Sequence, residues 1–338
     1  MSKFLLGAAC AALCACTALF FTACTTGTRD DAVNLKGIEA SQIGTDTDCD
    51  YYLAAEPVAT TKVNAMKDTG LGIAGSLQDL YGGTDGYPQA VVVVKSGLMQ
   101  YSIIRDFLDA LKDGAEWLLK DSTDASTIVD AVSSHLPEDA TPTFTSNNLN
   151  KSVIANCAVY YSPASECKDA INSFMTGINE VSDGFGTASD DFFATEISGT
   201  ETYSGNALKV YAPDGAPALG LAYMMAGESG LSEDMFEYHV ISSDDVAATI
   251  NGGNADICIL PVNLAVKLLG QKDTYRLTGT ITHGNLYLLS TDSTQITASN
   301  LSTLVGKTIG CIQIGNVPGL TLKLVLKKNG IAYNELVS

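Results

Sequence analysis

Pro213-Asp-Gly-Ala-Pro217 closes an apolar, strand-like run and opens a helical one. A helix start leaves backbone N–H groups free and carries partial positive charge, so Gly215 and Ala216 can offer amides to an anionic or polar group while Asp214 caps the helix. Asn316-Val-Pro-Gly319 has the same form, which makes Asn316, Val317 and Gly319 candidates for the same role from a second place in the fold. Two such helix starts facing each other across a cleft would clamp one ligand between two dipoles. The alternative for both is a cap with a purely structural role.

Asn263, His283, Gly284 and Asn285 follow strand-like segments and could supply further donors, with a satisfied structural histidine as the alternative for His283, and the one its residue type favours. Glu56 ends the strand-like run Asp50–Ala55 and precedes Pro57. Its carboxylate can accept from an amine or a pyrimidine edge; a hinge or helix-start role is the alternative.

Chemistry of other kinds finds little support. The chain has no Gly-x-x-x-x-Gly-Lys-Ser/Thr loop, no Gly-x-Ser-x-Gly elbow and no His-Glu-x-x-His pair, so no nucleophile comes with an identifiable base and no catalytic residue is assigned. Gly70-Leu-Gly-Ile-Ala-Gly75 matches a dinucleotide fingerprint, but the preceding 60–67 reads as a helix rather than the strand that motif needs. Cys49, Cys157, Cys167, Cys258 and Cys311 have no zinc-like spacing, so neither metal nor cofactor is expected. Cys157 and Cys167 could pair in an oxidising compartment or stay buried and free.

The elements that must position these residues read as α/β. From Leu208 onward short apolar runs alternate with amphipathic stretches: 209–213, 217–226, 238–241, 244–251, 256–262 and 263–269. That alternation implies right-handed βαβ units and a largely parallel sheet. Ala90-Val-Val-Val-Val94 is a β-branched run suited to a strand covered on both faces. Residues 96–120 place Leu98, Tyr101, Ile104, Phe107, Leu108, Leu111, Ala115 and Leu118 at helical spacing. Residues 307–314 read as a strand, with a helix from about Thr321 to Lys328 ending at Asn329-Gly330. Residues 194–206 are polar and aperiodic, as in an exposed linker, and 137–151 reads as a surface loop.

The 338 residues carry 19 Lys and Arg against 38 Asp and Glu, a formal charge of −19 that repels phosphate backbones and excludes nucleic acid as a partner. The first 24 residues combine Lys3, an apolar run and small residues before Cys24, the pattern of an export signal. Phe21-Thr-Ala-Cys24 resembles a lipobox, in which the Cys24 thiol takes a diacylglycerol; an uncleaved membrane helix is the alternative. The polar Thr25-Thr-Gly-Thr28 that follows reads as a tether, so the expected location is the extracytoplasmic face of the cell membrane.

Taken in order, 210–219, Asp256-Ile-Cys-Ile-Leu-Pro-Val-Asn263, Thr282-His-Gly-Asn-Leu-Tyr-Leu-Leu-Ser290 and Gly306-Lys-Thr-Ile-Gly310 with Asn316-Val-Pro-Gly319 resemble one family: the solute-binding proteins of ABC importers for nitrate, sulfonates, taurine and thiamine-pyrimidine precursors. Asp50-Tyr-Tyr-Leu-Ala-Ala-Glu-Pro57 and Gly86-Tyr-Pro-Gln-Ala90 resemble that family's later portion, yet here they come first. The resemblance therefore implies a circular permutation, with 30–195 matching the later portion and 206–338 the earlier one.

That resemblance implies a two-lobed clamp of the type II periplasmic-binding-protein kind, each lobe a mostly parallel sheet flanked by helices. One lobe is expected over 90–303, with the exposed linker at 194–206. The other combines 30–86 with 306–338, and hinges lie near Tyr87 and Leu304. Ser338 is expected beside 31–35. The implied function is capture of a small molecule by a monomer and its delivery to an ABC permease, without catalysis. A pyrimidine-precursor-synthase-like enzyme or an exported sensory lipoprotein are the alternatives.

Overall fold

The computed structural model describes residues 29–82 and 85–336. The export signal, Cys24 and Ser338 lie outside the described residues. In chain order the elements are β1 (Ala32–Gly37), β2 (Tyr51–Ala55), α1 (Val58–Ala65), β3 (Gly72–Ser76), α2 (Leu77–Tyr81), β4 (Ala90–Lys95), α3 (Ser102–Leu119), α4 (Ala125–Ser133), α5 (Lys151–Asn156), β5 (Val159–Pro163) and α6 (Ala164–Val181). They continue with β6 (Leu208–Pro213), α7 (Ala216–Leu219), α8 (Ala222–Met225), β7 (Phe236–Ile241), α9 (Val246–Asn251), β8 (Ile257–Pro261), α10 (Val262–Leu269), β9 (Tyr275–Thr282), β10 (Leu286–Ser290), β11 (Thr308–Cys311), α11 (Val317–Lys328) and β12 (Ala332–Leu336).

The strands form two six-stranded sheets, β12-β1-β11-β2-β10-β3 and β5-β9-β4-β8-β6-β7. In the first, β12, β1, β11 and β2 are parallel and β10 runs against β2 and β3. In the second only β7, β6 and β8 pair in parallel, while β4 and β9 make antiparallel ladders. The expectation of a mostly parallel sheet therefore fails for the second sheet. The reason is connectivity: β4 and β10 each arrive directly from the other sheet with no crossover helix. Both enter at the carboxyl edge, Ala90 beside Pro261 and Leu286 beside Ala55, so each must run against its neighbours.

The chain passes from the first sheet to the second between α2 and β4, through the described residues 85–89, and back again at 283–285, between β9 and β10. The crossing near Tyr87 is where the sequence placed it, but β10 belongs to the first sheet, so the second crossing precedes β10 instead of lying near Leu304. Strand periodicity identifies β10 without saying which sheet it joins.

β4 is covered on both faces. Val91 and Val93 enter a core built with α6, α10 and α11, and Ala90, Val92 and Val94 enter the one beneath α3 and α4. The apolar stripe of α3 is buried as its spacing predicts, through Ile104, Phe107, Leu108, Leu111 and Leu118, each such side chain worth about 1.5–3 kcal/mol. On the first sheet Leu35, Leu53, Leu288 and Ile309 face α2 and α11, and Tyr52, Ala54 and Leu289 face the side of α1. The two halves meet where α11 lies on α6. A Cβ on Gly177 would stand 2.6 Å from Leu324, so this approach needs glycine, and Lys327 donates to the Glu180 carbonyl at 3.0 Å.

Helix α11 begins at Val317, four residues earlier than the periodicity indicates, with Pro318 in its first turn. Residues 194–206 have no helix or strand, yet they are tied down: Ser102 N donates to Glu201 O at 2.9 Å and Ala194 N to Leu277 O at 2.8 Å. The 137–150 loop is anchored by buried Phe144 and Leu149. Cys157 and Cys167 are free thiols, and burial pushes both up. No helix of the described residues is long and apolar enough to cross a membrane.

Candidate ligand site at the double crossing

The strand registers bring the carboxyl ends of both sheets to one place. Ala55 ends β2 beside the start of β10, Pro261 ends β8 beside the start of β4, and Thr282 ends β9 beside Ala90. The crossing segments run side by side, Gln89 N donating to Thr282 O at 2.9 Å and Tyr87 N to His283 O at 3.3 Å. Carboxyl edges of open α/β sheets are where ligands bind, because loops splay there and leave a crevice.

Glu56 sits at this junction and is 4% exposed. Its N–H donates to Asn285 O at 3.1 Å. Its carboxylate accepts from Thr60 N at 3.0 Å, Thr60 Oγ1 at 2.6 Å and Asn156 Nδ2 at 2.9 Å. Asn156 ends α5, which packs on the second sheet, so this last bond spans the two halves. A second bond does the same, Tyr287 Oη donating to Asn156 O at 3.0 Å. Burial first, then the Glu56 charge, raises the Tyr287 phenol above its ordinary range. Among the described residues no lysine or arginine is a hydrogen-bond partner of this carboxylate.

Gln89 Nε2 donates to Asn285 Oδ1 at 3.0 Å, and Val262 N donates to Gln89 O at 3.0 Å, which brings Asn263 into the same strip. Asn263 is buried, its Oδ1 accepting from Leu264 N at 2.9 Å. Gln89 Oε1 and Thr282 Oγ1 are buried and, among the described residues, have no hydrogen-bond partner. A buried acceptor without a donor is costly, so such atoms mark where an incoming group would be stabilised.

The His283 ring stacks on Tyr160 at 3.7 Å and 3°. Its Nε2 lies 3.2 Å from Tyr160 O and 3.5 Å from Ser162 Oγ. A carbonyl only accepts, so the bond to Tyr160 requires the proton on Nε2, and this nitrogen cannot then take a proton from Ser162. Burial pushes His283 down to about 4, against smaller opposing effects of the Tyr160 carbonyl and Asp85. The pair is thus not a nucleophile with its base. Among the described residues no group of three or more His, Cys, Asp or Glu could hold a metal ion.

Gly284 has φ 100° and Gly86 φ 66°, both left-handed. A Cβ on Gly86 would also collide with His283 O. Gly86→Ala is expected to cost about 2 kcal/mol, from the strained conformation and the displaced crossing strand. Urea unfolding checks this, and a change below about 0.5 kcal/mol would mean the two crossings are not held this closely.

The structure brings Glu56, Asn263, His283, Gly284 and Asn285 together, and treats the helix-start candidates differently. Asp214 does not cap α7: its carboxylate accepts from Thr143 N at 2.7 Å and Gly215 N at 2.8 Å, fastening the 137–150 loop. Helix α7 is one turn of four residues, too short to build a dipole, although Asp214, Gly215 and Ala216 do lie at the same sheet edge as Pro261. Asn316 is exposed and makes no side-chain cap, while Val317 and Gly319 are buried, with Gly319 tight against the Ile314 backbone. Helix α7 packs on β5, β6, β8, β9, α4 and α8, and α11 on α2, α6, β2 and β12. The two helices share none of these neighbours, and neither start carries a side-chain cap.

Gln89, Asn156, Tyr287 and Thr282 belong to the junction and were not singled out by sequence. Gln89 had a signal, as the polar residue at the mouth of an all-apolar strand. Asn156 had none, because its role depends on a bond to a residue 100 positions away. Gly70–Gly75 leads into β3 and not from a strand to a helix, so the dinucleotide reading has no structural context. Cavities of about 600 and 350 Å3 lie elsewhere, the first around Tyr101 and Tyr203 and the second around Arg29 and Asn34. No protein-family model matches the chain, and no curated protein matches it.

Proposed function

We propose that this chain is an extracytoplasmic, lipid-anchored solute-binding protein of an ABC importer, a type II clamp acting as a monomer that holds a small molecule at the double crossing and catalyses nothing. The observation that carries this reading is the convergence of both sheets' carboxyl edges on two adjacent crossing strands, the arrangement that lets two halves rotate about a paired hinge and close on a ligand. Bonds across the junction, Glu56 with Asn156 and Tyr287 with the Asn156 carbonyl, support reading this arrangement as the shut form of such a clamp. A ligand would replace the Asn156 amide as donor to Glu56.

The permuted order is part of the proposal. Strands β12 and β1 are neighbours, Ala32 beside Ala332 and Lys36 beside Leu336. Because they are parallel, Leu336 stands about 13 Å along the sheet from the start of β1, and an ancestral connection would have run back over that length.

The junction also narrows the ligand. A carboxylate bonded to no lysine or arginine among the described residues repels nitrate and sulfonates, whereas Glu56, Gln89 Oε1 and Asn285 offer acceptors to a neutral or cationic molecule with N–H groups, such as an aminopyrimidine. Thermal melts against aminopyrimidines, amines, taurine, nitrate and alkanesulfonates test this. A true ligand at 100 times its Kd adds about 2.7 kcal/mol to stability, and Glu56→Ala should abolish that gain. Stabilisation by nitrate or alkanesulfonates alone would overturn the assignment of ligand class.

A further inference from the structure

The second sheet carries another cavity at its far edge. Lys95 closes β4 and Tyr275 opens β9, and they face each other across the ladder at the amino ends of β6 and β8. Five residues of β4 separate this edge from the crossing, about 17 Å. The cavity holds about 600 Å3, within the range of small-molecule sites.

Its lining is specific in kind. Leu98, Ile250 and Leu269 give it an apolar surface, and Tyr101, Tyr203 and Tyr275 give it aromatic walls. Tyr101 and Tyr203 meet edge to face with centroids 5.2 Å apart. The hydroxyls of Tyr203 and Tyr275 are already engaged, at 2.9 Å with Asn206 O and 2.6 Å with Ala255 O, which fixes both rings and leaves their carbon faces for contact. The Lys95 ammonium is held by Asp256 at 2.9 Å. Lys272 also lines the cavity, is exposed, and among the described residues has no ion-pair partner. An apolar, aromatic chamber with one uncommitted cation at its margin is complementary to a flat ring bearing one negative charge.

We propose that this cavity is a second binding site, for a planar aromatic acid whose ring packs among Tyr101, Tyr203 and Tyr275 and whose carboxylate or sulfonate meets Lys272. The site explains why 194–206, otherwise irregular, is fastened to the start of α3 through Glu201: the fastening sets Tyr203 as a wall. It is independent of the junction at Glu56 and stands or falls separately from the proposed transport function.

The test is a fluorescence titration of the protein with anilinonaphthalene sulfonate, an aromatic anion that brightens in apolar surroundings. Saturable binding at one site is expected, displaced by benzoate but not by benzylamine. Lys272→Glu should weaken it at least tenfold, and Leu98→Trp, which fills the chamber, should weaken it more. Glu56→Gln should leave it unchanged. Circular dichroism confirms that Leu98→Trp folds, and the exposed Lys272→Glu variant gives a reading that does not depend on core packing. The proposal is overturned if no brightening occurs, if both cavity variants bind the dye as well as the wild type, or if Glu56→Gln abolishes binding.

Discussion

Replacing Phe174 by alanine is expected to lower the unfolding free energy by about 4 kcal/mol. Phe174 lies on α6 and is fully buried. Its ring stacks on Tyr87 at 5.6 Å and 11°, and meets Tyr81 edge-on at 5.8 Å. Tyr81 ends α2 on the first sheet and Tyr87 belongs to the first crossing, so one side chain of the second sheet's layer anchors both the other half and the strand that joins them. Truncation removes the transfer free energy of the ring and leaves a cavity that two neighbouring rings cannot collapse into without moving the crossing. Each aromatic pair adds about 0.5–1.5 kcal/mol beyond its buried area. Urea unfolding followed by tryptophan fluorescence measures the loss, and Phe174→Leu should recover about half of it. A loss below about 1 kcal/mol for the alanine variant would show that the three rings do not pack as described.

Acidification is expected to weaken the fold through His283. In the folded protein burial holds this imidazole at about 4, below its ordinary value near 6.5. The unfolded chain therefore binds a proton that the folded chain refuses throughout that interval, and stability must fall as pH falls. The contribution is complete above pH 6.5, is lost progressively below it, and levels off once pH passes about 4. A separation of that size corresponds to about 3 kcal/mol. Carboxylates titrate in the same interval, so the measurement is the difference between wild type and His283→Gln in urea midpoints from pH 7 to pH 4. The wild type should lose more than the variant, and parallel curves would show that His283 is not held neutral. The position matters beyond stability: protonation would demand water at the second crossing, next to Asn285 and Glu56.

Much of the architecture was legible in the chain. The alternation after Leu208 gives the β6 to α10 order to within a few residues, because amphipathic period and turn chemistry are local properties. Ala90–Val94 declared a strand buried on both faces by composition alone, and α3 declared its inward stripe by spacing. What misled was direction. Nothing in the strand of Leu286–Ser290 says that it leaves one sheet for the other, and the second crossing was consequently placed some twenty residues too late.

The same division runs through the candidate site. Glu56, His283, Gly284, Asn285 and Asn263 could be named from sequence because each follows an apolar run, and the carboxyl ends of strands are where such residues gather. The sequence alone therefore determined the elements, the apolar faces and which polar residues stand at strand ends, since these follow from local periodicity and side-chain type. Only the tertiary structure decided that Asp214 would bind the Thr143 amide and not cap its own helix, that α7 and α11 would pack on separate sets of elements, and that Asn156 and Gln89 would complete the junction around Glu56. Those outcomes depend on which sheet edge each strand enters and on hydrogen bonds between residues tens to hundreds of positions apart, and pairings of that range leave no trace in the spacing of a single chain.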